Sequence, residues 1–227
     1  MKYENNTVSA VFIKRLNRFA AEVELKGETV CVHVKNTGRL GELLLPGSAV
    51  TLCDSCNPER KYRYDLISVY KEESGWVNID SQASNAVFHE WLKTRSYPFT
   101  DAELIKPEYV HGDSRVDFYL EAPGRRILIE VKGCTLVKNG KGCFPDAPTE
   151  RGVKHLNALA RAASEGYECY VAFVIAVPGI TEVVPNDEIH PEFGTALESA
   201  RKSGVKVLFM QCSVTENEIT ITNGLLQ

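Results

Sequence analysis

Ser114-Arg115-Val116-Asp117-Phe118-Tyr119-Leu120, the turn pair Pro123-Gly124, and Arg126-Ile127-Leu128-Ile129-Glu130-Val131-Lys132 form the stretch that decides how this chain reads. Both runs are apolar strands carrying charge at chosen positions. Side chains alternate faces along a strand, so Glu130 and Lys132 share one face and Val131 points the other way. If the strands pair across the Pro-Gly turn, Asp117 approaches Glu130. Two carboxylates are hard oxygen ligands suited to Mg²⁺ or Mn²⁺, and an adjacent ammonium suits a phosphate. Together they are the groups that phosphodiester hydrolysis needs. A Glu-x-Lys at a strand end can equally be a solvated rim. The continuous apolar run Ile127-Leu128-Ile129 favours the first reading: it marks a central strand buried on both faces, and charges ending such a strand lie where open α/β sheets gather ligands.

Upstream, the first eighty residues read as short strands: Val8 to Ile13, Phe19 to Leu25, Glu28 to Val34, Ala49 to Cys53, Tyr62 to Tyr70 and Gly75 to Ile79. Lys26-Gly27, Asn36-Thr37-Gly38 and Pro46-Gly47 separate them with turn chemistry. So many strands with so little helix predict a small closed barrel, most simply the oligonucleotide-binding kind. Near residue 80 the pattern changes. Ser84 is placed as the N-cap of a helix carrying Ala86, Val87, Trp91 and Leu92. After the strand pair and a Gly/Pro-rich loop, a helix is expected from about Glu150 to Glu165. A strand over Glu168 to Val177, a helix over Pro191 to Lys202, and strands over Val205 to Cys212 and Glu218 to Ile221 follow. The expectation is therefore two domains: residues 1–80 an all-β barrel that binds nucleic acid, residues 81–227 an α/β sandwich.

Composition excludes several classes. The 227 residues are 44% hydrophobic and 25% charged, as in ordinary globular proteins. No run reaches the length of a membrane span, and the polar start Met1-Lys2-Tyr3-Glu4-Asn5-Asn6 has no signal-peptide pattern, so the cytoplasm is the expected compartment. Seven cysteines, an odd and scattered count, read as free thiols. Cys53-Asp54-Ser55-Cys56 lacks the second pair or histidine that a zinc site requires. A sugar-binding pocket would want convergent aromatics, and the chain has only Trp76 and Trp91 as tryptophans.

Net charge is −4, but its distribution matters more. From Glu130 to Arg161 there are six bases (Lys132, Lys138, Lys141, Arg151, Lys154, Arg161) against three acids, while acids collect later at Glu182, Asp187, Glu188, Glu192 and Glu198. A basic strip beside the carboxylates with the acid elsewhere is what a polyanion-binding face needs. In the helix after the loop, Arg151, Lys154 and His155 oppose an apolar side of Val153, Leu156 and Leu159. Thr149, Arg151 and His155 can swing back over the ends of the strands, at a helix N-terminus suited to phosphate. Lys14, Arg15 and Arg18, with Arg39 and the Arg60-Lys61-Arg63 cluster, sit at strand ends and loops, where barrels of this type meet nucleic acid.

Ser114 to Phe118, Ile129 to Leu136 and the long segment Phe144-Pro145-Asp146-Ala147-Pro148-Thr149-Glu150-Arg151-Gly152-Val153-Lys154-His155-Leu156 resemble the sugar fermentation stimulation protein A family. So do Asn36-Thr37-Gly38 and Gly204-Val205, and the resemblance covers nearly the whole chain. It implies a DNA-binding protein that joins an oligonucleotide-binding barrel to a PD-(D/E)XK nuclease-like domain, with a link to the regulation of sugar utilisation. In the nuclease pattern Asp117 matches the first motif acid, and Glu130 and Lys132 match the paired acid and lysine. Glu90, five residues after Asn85, matches the acid of the preceding helix. The proline that precedes the first acid is replaced by Val116.

Two functions follow. In a metal-dependent deoxyribonuclease, Asp117, Glu130 and the Val131 carbonyl would hold one Mg²⁺ (or Mn²⁺), with Glu90 direct or through water. Lys132 would serve the attacking water or the phosphorane, and Arg151 and His155 would grip neighbouring phosphates on DNA of no strong sequence preference. The alternative is a non-cleaving DNA-binding regulator of sugar metabolism genes. Nuclease folds of this kind often dimerise to cut both strands, so a homodimer is one expected arrangement.

Overall fold

The computed structural model describes residues 1–227. Its first half is a sheet of β1 (Thr7–Asn17), β2 (Ala20–Leu25), β3 (Glu28–Val34), β4 (Ala49–Asp54), β5 (Tyr64–Lys71) and β6 (Gly75–Asn78). β1 pairs antiparallel with β2 and β4, and β5 pairs with β4. A parallel pairing of β3 with β5, His33 opposite Asp65, then closes five strands into a barrel. Closure removes the free edges that an open sheet would expose. Inward positions supply the core, among them Phe12, Val23, Val32, Val50, Leu66 and Val69. The β2–β3 turn shows why Gly27 stands where it does: Lys26 and Gly27 both have positive φ, 55° and 84°. That is the geometry of a two-residue hairpin whose twist suits its strands.

The second half comprises α1 (Ala83–Lys93), β7 (Leu104–His111), β8 (Ser114–Ala122), β9 (Arg125–Cys134), β10 (Val137–Lys138), β11 (Lys141–Phe144), α2 (Glu150–Ser164), β12 (Glu168–Ile175), β13 (Val183–Pro185), α3 (Pro191–Lys202), β14 (Lys206–Val214) and β15 (Ile219–Leu226). Six strands run in the order β15-β14-β12-β9-β8-β7, and β10-β11-β13 make a small separate sheet. β9, β12 and β14 are parallel, and the crossovers between them carry α2 and α3. Those two helices cover one face, through Leu156, Leu159, Phe193 and Leu197. α1 covers the other through Val87, Phe88 and Leu92. β9 and β12 are therefore buried on both faces, as the run Ile127-Leu128-Ile129 predicts.

Two local expectations change. α1 is capped at Gln82, whose N–H donates to Asp80 Oδ1 at 2.9 Å. Ser84 lies buried within the first turn, against the Cα of Gly133. β7 was unforeseen because it is a half-exposed outer strand containing Pro107, with polar residues that read as loop. All seven cysteines are free, five of them buried and Cys31 and Cys56 exposed.

The barrel and the α/β half are fastened at the loop after β3. Arg15 was expected on a DNA surface, but its guanidinium donates Nε–H to Asn17, Nη1–H to Gly38 and Arg39, and Nη2–H to Arg18 and Asn36, all backbone carbonyls. Every one of its N–H directions is occupied, so Arg15 shapes the loop and is not available to a phosphate. The shaped loop brings Gly38 against the carboxylate of Asp146, on the segment leading into α2; a Cβ at residue 38 would overlap both carboxylate oxygens. Gly38→Ala should therefore cost about 1–3 kcal/mol in urea unfolding. Gly41→Ala, a neighbour with open space around it, should leave the midpoint unchanged.

Candidate active site

Glu130 stands on β9, flanked by β12 with Val171 opposite it, and is 3% exposed. A carboxylate so placed needs partners. Lys132, two residues on along the same face, puts Nζ 2.6 Å from Glu130 Oε1. His155, one turn into α2, brings Nδ1 to the same oxygen. Arg151 Nε–H donates to His155 Nε2 at 3.2 Å, which leaves Nδ1 as the ring's donor toward Glu130. Burial pushes the Glu130 carboxyl up, but His155 and Lys132 outweigh it and hold it below the usual range. Its other oxygen, Oε2, is buried with no partner.

Asp117 approaches from β8. The β8–β9 ladder stops at Phe118 opposite Ile129, and beyond it the Val131 N–H donates to Asp117 Oδ2 at 2.7 Å. The side chain thus takes the place of a missing ladder carbonyl where the strands part. Asn85 of α1 donates to Oδ1 at 2.8 Å. Burial and then the charge of Glu130 raise the Asp117 carboxyl, against the donors at Val131 and Asn85. Asp117 and Glu130 line one cleft of about 400 Å³ with Val131, Lys132, Asn85, Arg151 and His155. Its opposite wall is the barrel loop Asn36-Thr37-Gly38 and the segment Phe144 to Thr149.

Glu90 is not brought to this cleft. Five residues along a helix of 3.6 per turn rotate it away from Asn85, and its carboxylate pairs with the amino group of Met1 at 2.7 Å. Asn85, which the resemblance also carries, occupies the place assigned to Glu90. Thr149 is the N-cap of α2, its Oγ1 accepting from the Gly152 N–H at 3.1 Å, so that oxygen serves the helix. His155 is a partner of Glu130 more than a surface cation.

The basic strip is shorter than the sequence implies. β13 pairs with β11, which brings the later acids back: Lys138 pairs with Glu188 at 2.6 Å and Lys141 with Glu182 at 2.9 Å. Arg161 pairs with Asp113 at 3.2 Å. In the barrel, Arg60 and Arg63 are paired with Asp65 and Asp54, and Lys14 with Glu22 at 3.3 Å. Lys61 lies over the Tyr62 ring, away from the residues of the cleft. The exposed bases near the cleft that make no ion pair are Arg18, Arg39, Arg151 and Lys154; Arg115 is paired with Glu108 at 3.0 Å.

The donor set fits a hard divalent cation sparingly coordinated by protein. Glu130 Oε2 is an acceptor without a donor, Asp117 faces the same space, and Val131 lines it. No three His, Cys, Asp or Glu side chains converge anywhere in the chain. Two carboxylates with waters completing the shell is a habit of Mg²⁺ rather than of zinc.

Residues 82–218 match the family model of the sugar fermentation stimulation protein RE domain, and residues 13–79 match the SfsA N-terminal OB domain. A sugar fermentation stimulation protein homolog of Clostridium beijerinckii is 47% identical over 221 residues, covering 97% of this chain and 96% of the relative. A homolog from Desulfitobacterium hafniense is 49% identical over 219 residues, covering 96% and 94%. The solved structure of Pyrococcus furiosus SfsA, in complex with Ca²⁺, superposes with a TM-score of 0.88 at 25% identity over 99% of this chain and 98% of that one. No helix is long and apolar enough to cross a membrane.

The two acids should respond oppositely to neutralisation. Glu130, depressed in the fold, contributes stability that is present above its unfolded pKa and is lost as pH falls through the depressed value. Glu130→Gln should cost roughly 3–5 kcal/mol at neutral pH, as for one partner removed from a buried ion pair, with the gap to the parent closing in acid. Asp117, raised in the fold, carries an ionisation cost that is full above its folded pKa and relieved as pH falls through it. Asp117→Asn should therefore be at least as stable as the parent at neutral pH and lose any advantage in acid. Urea unfolding across the carboxylate range checks both signs.

Proposed function

The chain belongs to the sugar fermentation stimulation protein family, and on that premise we propose that it binds DNA without strong sequence preference and hydrolyses phosphodiester bonds in this cleft with Mg²⁺ or Mn²⁺. One observation carries the reading: Glu130 lines a cleft that Asp117 shares and that Lys132 borders, and its Oε2 is buried without a partner. A buried carboxylate oxygen without a donor calls for a partner, and a cation in the cleft would supply one. That the Pyrococcus furiosus protein was solved with Ca²⁺ supports an oxygen-ligated cation in this fold, because Ca²⁺ takes the same class of donor.

Under this reading Asp117, Glu130 and the Val131 carbonyl would hold the ion. When bound, such an ion lowers the pKa of a water and polarises a phosphoryl oxygen. The remaining work falls to the chain. Asn85 and the Val131 N–H fix the Asp117 carboxylate, and His155 fixes Glu130. Arg151, with only Nε engaged, offers its Nη groups to a phosphate in the bidentate manner that guanidinium favours. Lys132 lies at the acid with its ammonium at the cleft, placed to offset charge on a phosphorane.

Supercoiled plasmid incubated with Mg²⁺ or Mn²⁺ is the test. The parent should nick or linearise it, chelation should abolish the reaction, and Lys132→Ala should lower the rate roughly a hundredfold or more, the weight of one electrostatic group at a developing charge. Asp117→Asn should lose cation binding and cleavage while still retaining plasmid in a gel shift. Retention without cleavage by the parent under either cation would replace the nuclease by the non-cleaving regulator, a reading that the Lys132–Glu130 pair, which already neutralises the acid, can accommodate.

A further inference from the structure

Three grooves meet end to end across this face. The carboxylate cleft shares Thr37, Gly38, Ala147 and Pro148 with a shallower groove that also holds Arg18 and Arg39. On its other side it shares Arg151 and His155 with a groove that holds Arg115 and Lys154. A track thus runs from the tip of the barrel, past the acids, along the outer face of α2. Arg18 and Arg39 stand exposed at one end and Lys154 at the other, where Arg115 and Arg161 are paired with Glu108 and Asp113; Asp117 and Glu130 lie between.

At the barrel end stands Phe19. With Arg18 it forms the turn between β1 and β2, where Asn17 pairs with Ala20. The Phe19 carbonyl accepts from the Val34 N–H at 2.9 Å, which places it beside the chain that leads into the loop Asn36 to Arg39. The residue is 52% exposed. An exposed phenyl is ordinary by itself. Here it follows Arg18, which lines the groove with Arg39, so it stands next to that end of the track. Aromatic faces alternating with free cations along a groove are the means by which proteins hold unpaired bases.

The cleft itself also selects. Glu130 is 3% exposed, in a cleft walled by the barrel loop together with the segment entering α2. An unpaired strand can present a phosphate to so buried a carboxylate without the unstacking and separation that opening a duplex requires.

We infer that the track receives a single strand of DNA, and that Phe19 is a stacking platform for a base outside the hydrolytic site. This rests on the DNA-binding reading above and names its substrate class: single-stranded DNA, or the unpaired arm of a branched duplex. Salt-dependent attraction comes from Arg18 and Arg39, while Phe19 supplies a salt-insensitive part.

Fluorescence anisotropy of the full chain, in chelator to prevent cleavage, decides it with one labelled oligonucleotide presented single-stranded and as its duplex. The single strand should bind tighter. Phe19→Ala should weaken it roughly five- to hundredfold, the range of one lost base stack, and leave duplex affinity unchanged. Phe19→Trp should restore the affinity, with indole emission quenched on binding. Because residue 19 is an exposed turn position, the urea midpoint of Phe19→Ala should match the parent. Single-strand affinity that is indifferent to Phe19→Ala, or tighter binding of the duplex, overturns the inference and leaves DNA binding standing. Binding of neither form overturns both.

Discussion

The structure turns on the burial of one carboxylate. β9 is a central strand, and a charge in its buried stretch is costly unless it is paired. Lys132 follows from local sequence, since two residues along a strand return to the same face. His155 does not; it arrives only because α2 begins where it does. That start is set by Thr149 at the N-cap, by the segment from Phe144 onward, and by the seat of Asp146 against Gly38 of the barrel. Arg15 holds the barrel loop in the shape that makes the seat. A chain of contacts therefore runs from a hairpin of the barrel to the acid at the floor of the cleft. The barrel is a wall of the site as well as a neighbouring surface.

What could be read in advance follows the range of the interaction. The barrel strands, α2, α3 and the paired acids were legible because each is written in a short window: alternation, helical spacing, a turn pair, a Glu-x-Lys. Errors arose where a residue's partner is distant in sequence. Arg15 looks like a surface cation until the carbonyls of Asn36, Gly38 and Arg39 fold over it. Lys138 and Lys141 look free until β13 returns with Glu182 and Glu188. Glu90 matched a pattern of residue types, but helix phase sends it to Met1 and presents Asn85 to Asp117. A basic strip counted along the chain overstates the cationic surface, because long-range pairing removes charges by proximity and not by sequence distance.

Asp117 and Glu130 are unequal although both are acids of one cleft. Glu130 has two cationic or donating neighbours and stays ionised easily; Asp117 has neutral donors and the negative field of Glu130, and resists ionisation. Such a split is the expected state of two carboxylates that share a low-dielectric space. It also sets the terms on which a cation can enter. A divalent ion there would remove the repulsion that raises Asp117 and give Glu130 Oε2 its missing partner, so its binding should release whatever proton Asp117 retains.

Under the proposed reading the same inequality couples cation and DNA. The rims carry Arg18, Arg39, Arg151 and Lys154, which attract phosphates; the floor carries two acids, which repel them. A strand can rest on the rims without a cation, but it cannot lower a phosphate to the floor until the negative charge there is offset. The cation favours the lowered strand, and by reciprocity the lowered strand favours the cation. Cleavage competence then requires both ligands, while retention of DNA requires only the rims. On that reading the two tasks are spatially separate: the bases that would hold the polyanion lie on barrel and helix surfaces free of ion pairs with acids, and the acids that would act on it lie at the parting of β8 and β9, where no cationic side chain except Lys132 and no ring except His155 reaches Glu130 directly.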